Sequence, residues 1–316
     1  MANTWLPFEK DIADLEQALE GLERDGPTDE SRRVKRELRS LKRQRYGNLE
    51  PWEAVQVCRH PERPQTLDYV ELIFDEYVEL HGDRAFGNDP ALRAGLARLG
   101  DFKVLLIGHQ KGHTLKERTE CFYGCAHPEG YRKAIAKMKL AAKFRLPVIC
   151  LIDTPGAYPG IGAEERGQAQ LIANSILEMS RLPTPVICVI IGEGGSGGAL
   201  GIGVGDRVSM LEHAYYSVIS PEGCAGILWK IADDQTKPRA AKALRMTAKD
   251  LRAFGVVDEI IPEPLGGAHR DPREIANTLR SYLLRCLREL RGVPVNELLD
   301  QRFQKFRRMG VFEESV

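Results

Sequence analysis

Hydrophobic positions recur at two different periods along this chain, and the change of period divides it. Phe8, Ile12, Leu15, Leu19 and Leu22 fall three and four residues apart, which gathers them on one face of an α-helix. Gly26-Pro27 interrupts the pattern, and Asp29 or Ser31 is placed to cap a second helix with Val34, Leu38 and Leu41 inward. From about residue 65 the spacing becomes an alternation of short apolar runs and helical segments. Strands are predicted at 104–107, 148–152, 186–191, 208–211 and 215–219. Helices are predicted at 131–144, 163–180, 197–204, 222–231, 238–244, 248–254 and 272–290. Strands that are apolar on both faces and followed by helices imply a sheet covered on both sides, an α/β fold.

Two of these strands run into glycine. The first leads through Asp153, Thr154 and Pro155 into Gly156, Ala157, Tyr158, Pro159 and Gly160. The second leads into Gly192, Glu193, Gly194, Gly195, Ser196, Gly197, Gly198, Ala199, Leu200 and Gly201. Glycine lets backbone N–H groups approach a ligand, and a helix start leaves its first amides unpaired beside the positive end of the dipole. Two such loops point to a site built from backbone amides and aimed at negative charge, as in an oxyanion hole or an anion site.

The second loop fits two short motifs at once. Gly192 to Gly197 satisfies G-x-G-x-x-G, but the ribose-binding acid expected about 20 residues on is missing, since Glu212 falls before the next strand. Gly194 to Gly198 satisfies G-x-S-x-G, the elbow of a serine hydrolase, with Ser196 as nucleophile. Asp206, Asp233 or Asp258 and His213 or His269 are available to complete a triad. The glycine density exceeds what an elbow needs, and the structural alternative makes Ser196 a hydroxyl cap for the helix beginning at Gly197.

Composition narrows the class. The chain has 316 residues, 43% of them hydrophobic, with 45 basic and 45 acidic side chains. Balanced charge gives no sign of a nucleic-acid or membrane partner, and no apolar run approaches the ~20 residues of a membrane span. The basic residues of the second helix (Arg32, Arg33, Lys35, Arg36, Arg39, Lys42, Arg43 and Arg45) read as a solvated face or one docked on an acidic partner. The start of the chain lacks a signal-peptide layout, and seven scattered cysteines fit a reducing cytoplasm.

A third segment identifies the architecture. Thr247, Leu251, Gly255, Val256, Val257, Asp258 and Ile260 resemble a segment of crotonase-like enzymes, with Leu251 at the usual alanine. Added to it are the stretches at 59–61, 66–70, 108–112, 128–134, 153–168, 192–200, 217–230 and 260–270. With these, residues 50–290 resemble the α subunits of bacterial acetyl-CoA carboxylase carboxyltransferases.

The resemblance implies a crotonase-like spiral of ββα units. It also implies transfer of a carboxyl group from carboxybiotin, held on a biotin carboxyl carrier protein, to acetyl-CoA, giving malonyl-CoA for fatty-acid synthesis. By the family pattern the amides of Gly197 and Gly198 are catalytic. Gly156, Ala157, Tyr158, Pro159 and Gly160 form the other wall of the biotin slot, with Gly194 and Gly195 also binding cofactor. The implied partners are a zinc-ribbon β subunit in an α2β2 assembly and an ATP-using biotin carboxylase. Cysteine pairs spaced C-x-x-C, as a zinc ribbon needs, do not occur here, so no metal is expected in this chain. A related acyl-CoA carboxyltransferase and the serine hydrolase remain as alternatives.

The resulting division is a helical assembly segment at 1–50, a carboxyltransferase domain at 51–290 and a helical tail at 291–316. Arg302, Lys305, Arg307 and Arg308 on that tail are expected to serve docking. Cys121 and Cys125 read as two reduced loop thiols. Glu164, Glu165 and Glu222 read as first-turn helix acids, and Gly201, where relatives carry alanine, as a packing difference.

Overall fold

The computed structural model describes residues 5–24 and 26–310. Its strands are β1 (Glu76–Glu79), β2 (Leu92–Leu99), β3 (Phe102–His109), β4 (Val148–Thr154), β5 (Val186–Gly195), β6 (Arg207–Leu211), β7 (Tyr215–Ser217) and β8 (Glu259–Ile261). Helices α1 (Lys10–Glu23), α2 (Asp29–Gly47), α3 (Pro51–Cys58) and α4 (Thr66–Ile73) precede the sheet. Between the strands lie α5 (Leu115–Glu120), α6 (Pro128–Lys143), α7 (Ile161–Glu165), α8 (Gln168–Ser180), α9 (Ser196–Leu200), α10 (Pro221–Trp229), α11 (Thr236–Leu244) and α12 (Ala248–Ala253). Helices α13 (Pro272–Arg291) and α14 (Val295–Arg307) follow.

The sheet runs in the order β1-β2-β3-β4-β5-β6-β8, with β7 attached to β5. Pairing is antiparallel from β1 to β3 and parallel from β3 to β8. The units β2-β3-α6 and β6-β7-α10 are both ββα. Every position of β4 and β5 is buried, which is why these strands read as unbroken apolar runs. By contrast β2 carries Arg93, Gly95 and Arg98 and alternates in exposure, so it gave no comparable signal.

Local chemistry moves several boundaries. The predicted helix at 163–180 is two helices, broken at Gly167, whose φ of +84° is left-handed. The cap of α2 is Thr28, not Asp29 or Ser31: its side chain accepts from the Ser31 amide while the Ser31 hydroxyl accepts from the Thr28 amide. The second-loop helix is short, Ser196–Leu200, and β5 extends through Gly195.

Two features of the sheet position the site. Ile152 pairs with Ile190 and Thr154 with Gly194, so two steps along β4 oppose four along β5. Past this bulge β5 rejoins β4 at Gly194, while on its other edge β7 takes over from β6 and pairs with Glu193 to Gly195. At the other end of the chain, α14 buries Arg302, which is 1% exposed. Its guanidinium binds both carboxylate oxygens of Asp206, at 2.8 and 2.7 Å, and donates to the carbonyls of Met179, Leu182 and Thr184. Lys305 pairs with Asp258. Arg302 and Lys305 are therefore internal ties, not the docking surface expected of them, because each meets a carboxylate of the main body.

The α1–α2 hairpin has its own small core of Ile12, Leu38 and Tyr46 with Val57 of α3. Buried Glu9 ties the hairpin to the body through Arg270 at 2.7 Å. On α2, Arg32, Arg33, Arg36, Arg39 and Arg43 are exposed, a solvated basic face. Among the described residues no helix is long and apolar enough to cross a membrane.

Candidate active site

The two glycine loops touch backbone to backbone. A Cβ placed on Gly198 would lie 2.5 Å from the Gly156 carbonyl carbon and 2.6 Å from the Ala157 nitrogen. One placed on Gly195 would lie 2.1 Å from the Pro155 oxygen. Only glycine permits either approach. Gly194 and Gly195 are buried in the ladder with Tyr216 and Ser217, so they let the loops close and β7 pair. Gly197 differs, being partly exposed, with the nearest atom to its missing Cβ 3.6 Å away on Ile172. Packing does not require glycine there. Helix α9 starts after Gly195 with no side-chain cap, so the amides of Gly197 and Gly198 lie in a first turn without intrahelical acceptors.

Ser196 is exposed, has a left-handed φ of +49°, and caps nothing. The capping role expected of it fails because the helix starts one residue earlier, with Ser196 inside its first turn. A non-glycine residue at positive φ costs about 1–2 kcal/mol, a strain also found in nucleophile elbows. The partners of a triad are nevertheless elsewhere. Asp206 is held by Arg302, Asp258 by Lys305, and Asp233 caps α11. His269 stacks on His60 with ring centroids 3.8 Å apart, and His213 lies beside Tyr46.

Ser196 and Gly197 instead border an apolar chamber of about 460 Å³. Its walls include Leu200, Tyr216, Leu251, Phe254, Phe306 and Met309, with Arg245 also on the wall, and among the described residues no histidine or carboxylate lines it. The C-terminal helix thus closes the space beside the amides. Of the first loop, Gly156 and Ala157 back onto Gly198, whereas Tyr158, Pro159 and Gly160 lie outside the chamber wall. Tyr158 stacks on His127 at 4.0 Å, Pro159 is exposed, and Gly160 is the N-cap of α7.

The other side of the loop is charged. Glu193 receives Lys111 at 2.6 Å, Arg59 at 2.8 Å and the Tyr215 hydroxyl at 2.6 Å. Lys111 also meets Asp153 at 2.6 Å, and Asp153 accepts the Glu193 amide at 2.8 Å. Arg59 continues to Glu222 at 2.6 Å, so Glu222 is a bridging partner as well as a first-turn acid. Burial alone would raise the Glu193 carboxyl, but the charges of Lys111 and Arg59 outweigh it and hold it at about 2. These groups border a cleft of about 410 Å³. They escape a reading based on glycine, although a signal is present: Asp153 and Glu193 are charged residues at the buried end of each apolar strand, Asp153 before the first glycine loop and Glu193 inside the second.

Other expectations resolve locally. Gly201 faces the Tyr131 ring, 2.5 Å from where its Cβ would be, and the Tyr131 hydroxyl donates to the Gly198 carbonyl. Glu164 does lie in the first turn of α7. Arg166 binds Glu129 at 3.0 Å and covers the Phe86 ring. Cys121 and Cys125 are free thiols, and among the described residues no group of three or more His, Cys, Asp or Glu gathers to hold a metal.

The family described as acetyl co-enzyme A carboxylase carboxyltransferase-like matches residues 5–310. The chain belongs to this family. An acetyl-coenzyme A carboxylase carboxyl transferase subunit alpha of Rhodopirellula baltica is 60% identical over 99% of both chains. Its counterpart of Methylococcus capsulatus is 52% identical over 98% of both. Among solved structures, a Pseudomonas malonate decarboxylase hetero-tetramer in complex with coenzyme A aligns with TM-score 0.57 and 18% identity, covering 75% of this chain and 91% of that one. Transcarboxylase 12S aligns with TM-score 0.55 and 22% identity, covering 71% of this chain and 42% of that one. These structures establish the crotonase-like carboxyltransferase fold. Carboxyl transfer in acyl-CoA carboxylation is the family's chemistry, and the relatives' designation as a subunit makes the chain one component of a biotin-dependent complex.

Proposed function

We propose that this chain supplies the carboxybiotin half of a divided carboxyltransferase site that converts acetyl-CoA to malonyl-CoA for fatty-acid synthesis. The observation that carries this reading is the start of α9, pressed onto the Gly156–Ala157 peptide, with open amides beside an apolar chamber. Carboxybiotin supplies the carboxyl group and leaves negative charge on its ureido oxygen. The Gly197 and Gly198 amides stabilise that charge, an effect for which each oxyanion donor is worth about 3–4 kcal/mol. Tyr216, Phe254 and Phe306 offer apolar area to the fused ring and exclude water from it. No side chain of this chain is needed as the base.

The acetyl-CoA half, with a second set of amides, belongs to a homologous β subunit bearing a zinc ribbon. The two chains form an α2β2 heterotetramer served in the cytoplasm by the biotin carboxyl carrier protein and biotin carboxylase. Purified alone, the chain shows no decarboxylation of malonyl-CoA with a biotin analogue as acceptor. Adding the β subunit restores the activity and shifts the mass to that of a heterotetramer. Full activity in the isolated chain would refute the divided site.

A further inference from the structure

The charged cluster beneath the second loop draws on separate elements: Arg59 follows α3, Lys111 follows β3, Asp153 lies in β4, Glu193 in β5, Tyr215 in β7 and Glu222 in α10. It sits at the bulge past which β7 takes over from β6 beside β5. A bulge frees backbone groups from the ladder, and here side chains take them up. The Ile191 carbonyl accepts from Arg63 at 2.9 Å, and the Glu193 amide donates to Asp153 at 2.8 Å. Gly192 leaves the space for this, since a Cβ on it would lie 2.3 Å from an Asp153 carboxylate oxygen. Among the described residues Lys111 is the one side chain bonded to both carboxylates, Asp153 before the first glycine loop and Glu193 within the second.

We infer that Lys111, Asp153 and Glu193 form a positioning clamp that fixes the spacing of the two glycine loops, and through it the aim of the Gly197 and Gly198 amides. The clamp touches no reactant. Its carboxylates lie on the strand side of the loops, while Gly197 borders the apolar chamber on the helix side. Losing a tie lets the loops separate without emptying the chamber, so the amides still face the site but off the line they need. Misplacement of this kind, on the scale of 1 Å, costs about 10²-fold in rate while leaving binding nearly intact.

The inference rests on the proposed carboxyl transfer, and the test keeps the two apart. Lys111→Met and the double variant Lys111→Met with Asp153→Asn are each assembled with the β subunit and assayed for malonyl-CoA decarboxylation with biocytin, beside the wild-type complex. An inactive wild-type complex would reject the carboxyltransferase reading itself. With an active wild type, the clamp predicts kcat down about 10²-fold in Lys111→Met and KM for biocytin changed less than about threefold.

The double variant separates aim from stability. It removes the carboxylate that the single variant leaves without a cation, while Glu193 keeps Arg59, so its melting temperature recovers toward wild type relative to the single variant, yet its kcat stays low. Recovery of kcat together with melting temperature would show that the cluster acts only through stability and would overturn the inference. Should Lys111→Met fail to assemble, the double variant alone decides by the same kcat criterion.

Discussion

The second glycine loop borders two cavities of similar size and opposite chemistry. On one side, the cleft of about 410 Å³ is lined by Arg59, Lys111, Asp153 and Glu193, which pair with one another, by Arg63, which pairs with Glu263 and the Ile191 carbonyl, and by Arg118, which donates to the Gly112 carbonyl. On the other, the chamber of about 460 Å³ is largely apolar and is bordered by Ser196 and Gly197 at the uncapped start of α9. A cavity rich in charge attracts attention as a binding site, but paired charges have little left to offer a ligand. The apolar chamber has unpaired donors at its rim and nothing in it to compete for them. In the proposed site the charged side holds the loop in place and the apolar side receives the reactant.

The contrast can be broken most severely at the chamber's outer wall. Arg302→Met leaves Asp206 and three carbonyls without their cation and frees the helix that carries Phe306 and Met309. Breaking a buried pair from one side costs about 3–5 kcal/mol, readable as a lower urea midpoint. An unchanged midpoint would mean that α14 is not anchored as described.

Next in size is a pair of matched substitutions in the loop. Gly198→Ala forces a methyl group into the Gly156–Ala157 peptide and is expected to lower turnover of the assembled enzyme about 10²–10³-fold, the scale of one lost oxyanion donor. Gly197→Ala keeps its amide and meets only ordinary contacts, so it should retain turnover within about threefold. Equal losses in both would remove the distinction between a glycine held by packing and one held for its amide.

The smallest effect is expected at the residue that the short motif made most prominent. Ser196→Ala removes a hydroxyl with neither a cap bond nor a triad partner, and should leave kcat within about twofold and the melting temperature nearly unchanged. The wild-type protein should resist a fluorophosphonate. Stoichiometric labelling at Ser196 would instead revive the hydrolase.

Much of this was legible before any fold was known. The strands β4 and β5 announce themselves because burial on both faces demands continuous apolar residues, and the glycines after them mark where backbones approach closely. The strands β1 and β2 are silent, since the edge strand β1 is four half-exposed residues with two glutamates and β2 is interrupted by Arg93 and Arg98. Gly156, Ala157, Gly197 and Gly198 were picked out together, and the structure brings Gly156 and Ala157 into contact with Gly198. It separates Tyr158, Pro159 and Gly160 from the chamber, because the loop turns toward His127 and α7.

The sequence by itself determined which segments are strands and helices of the buried core, where the chain bends on glycine, and the family to which it belongs. Those are properties of short neighbourhoods, where period, residue size and backbone freedom act locally. Only the tertiary structure decided that Arg302 is an internal tie, that Ser196 stands without a base, and that Lys111 joins Asp153 to Glu193 beneath the amides. Each depends on side chains brought together from distant positions, and a charged residue in a linear sequence carries no mark of the partner that folding will give it.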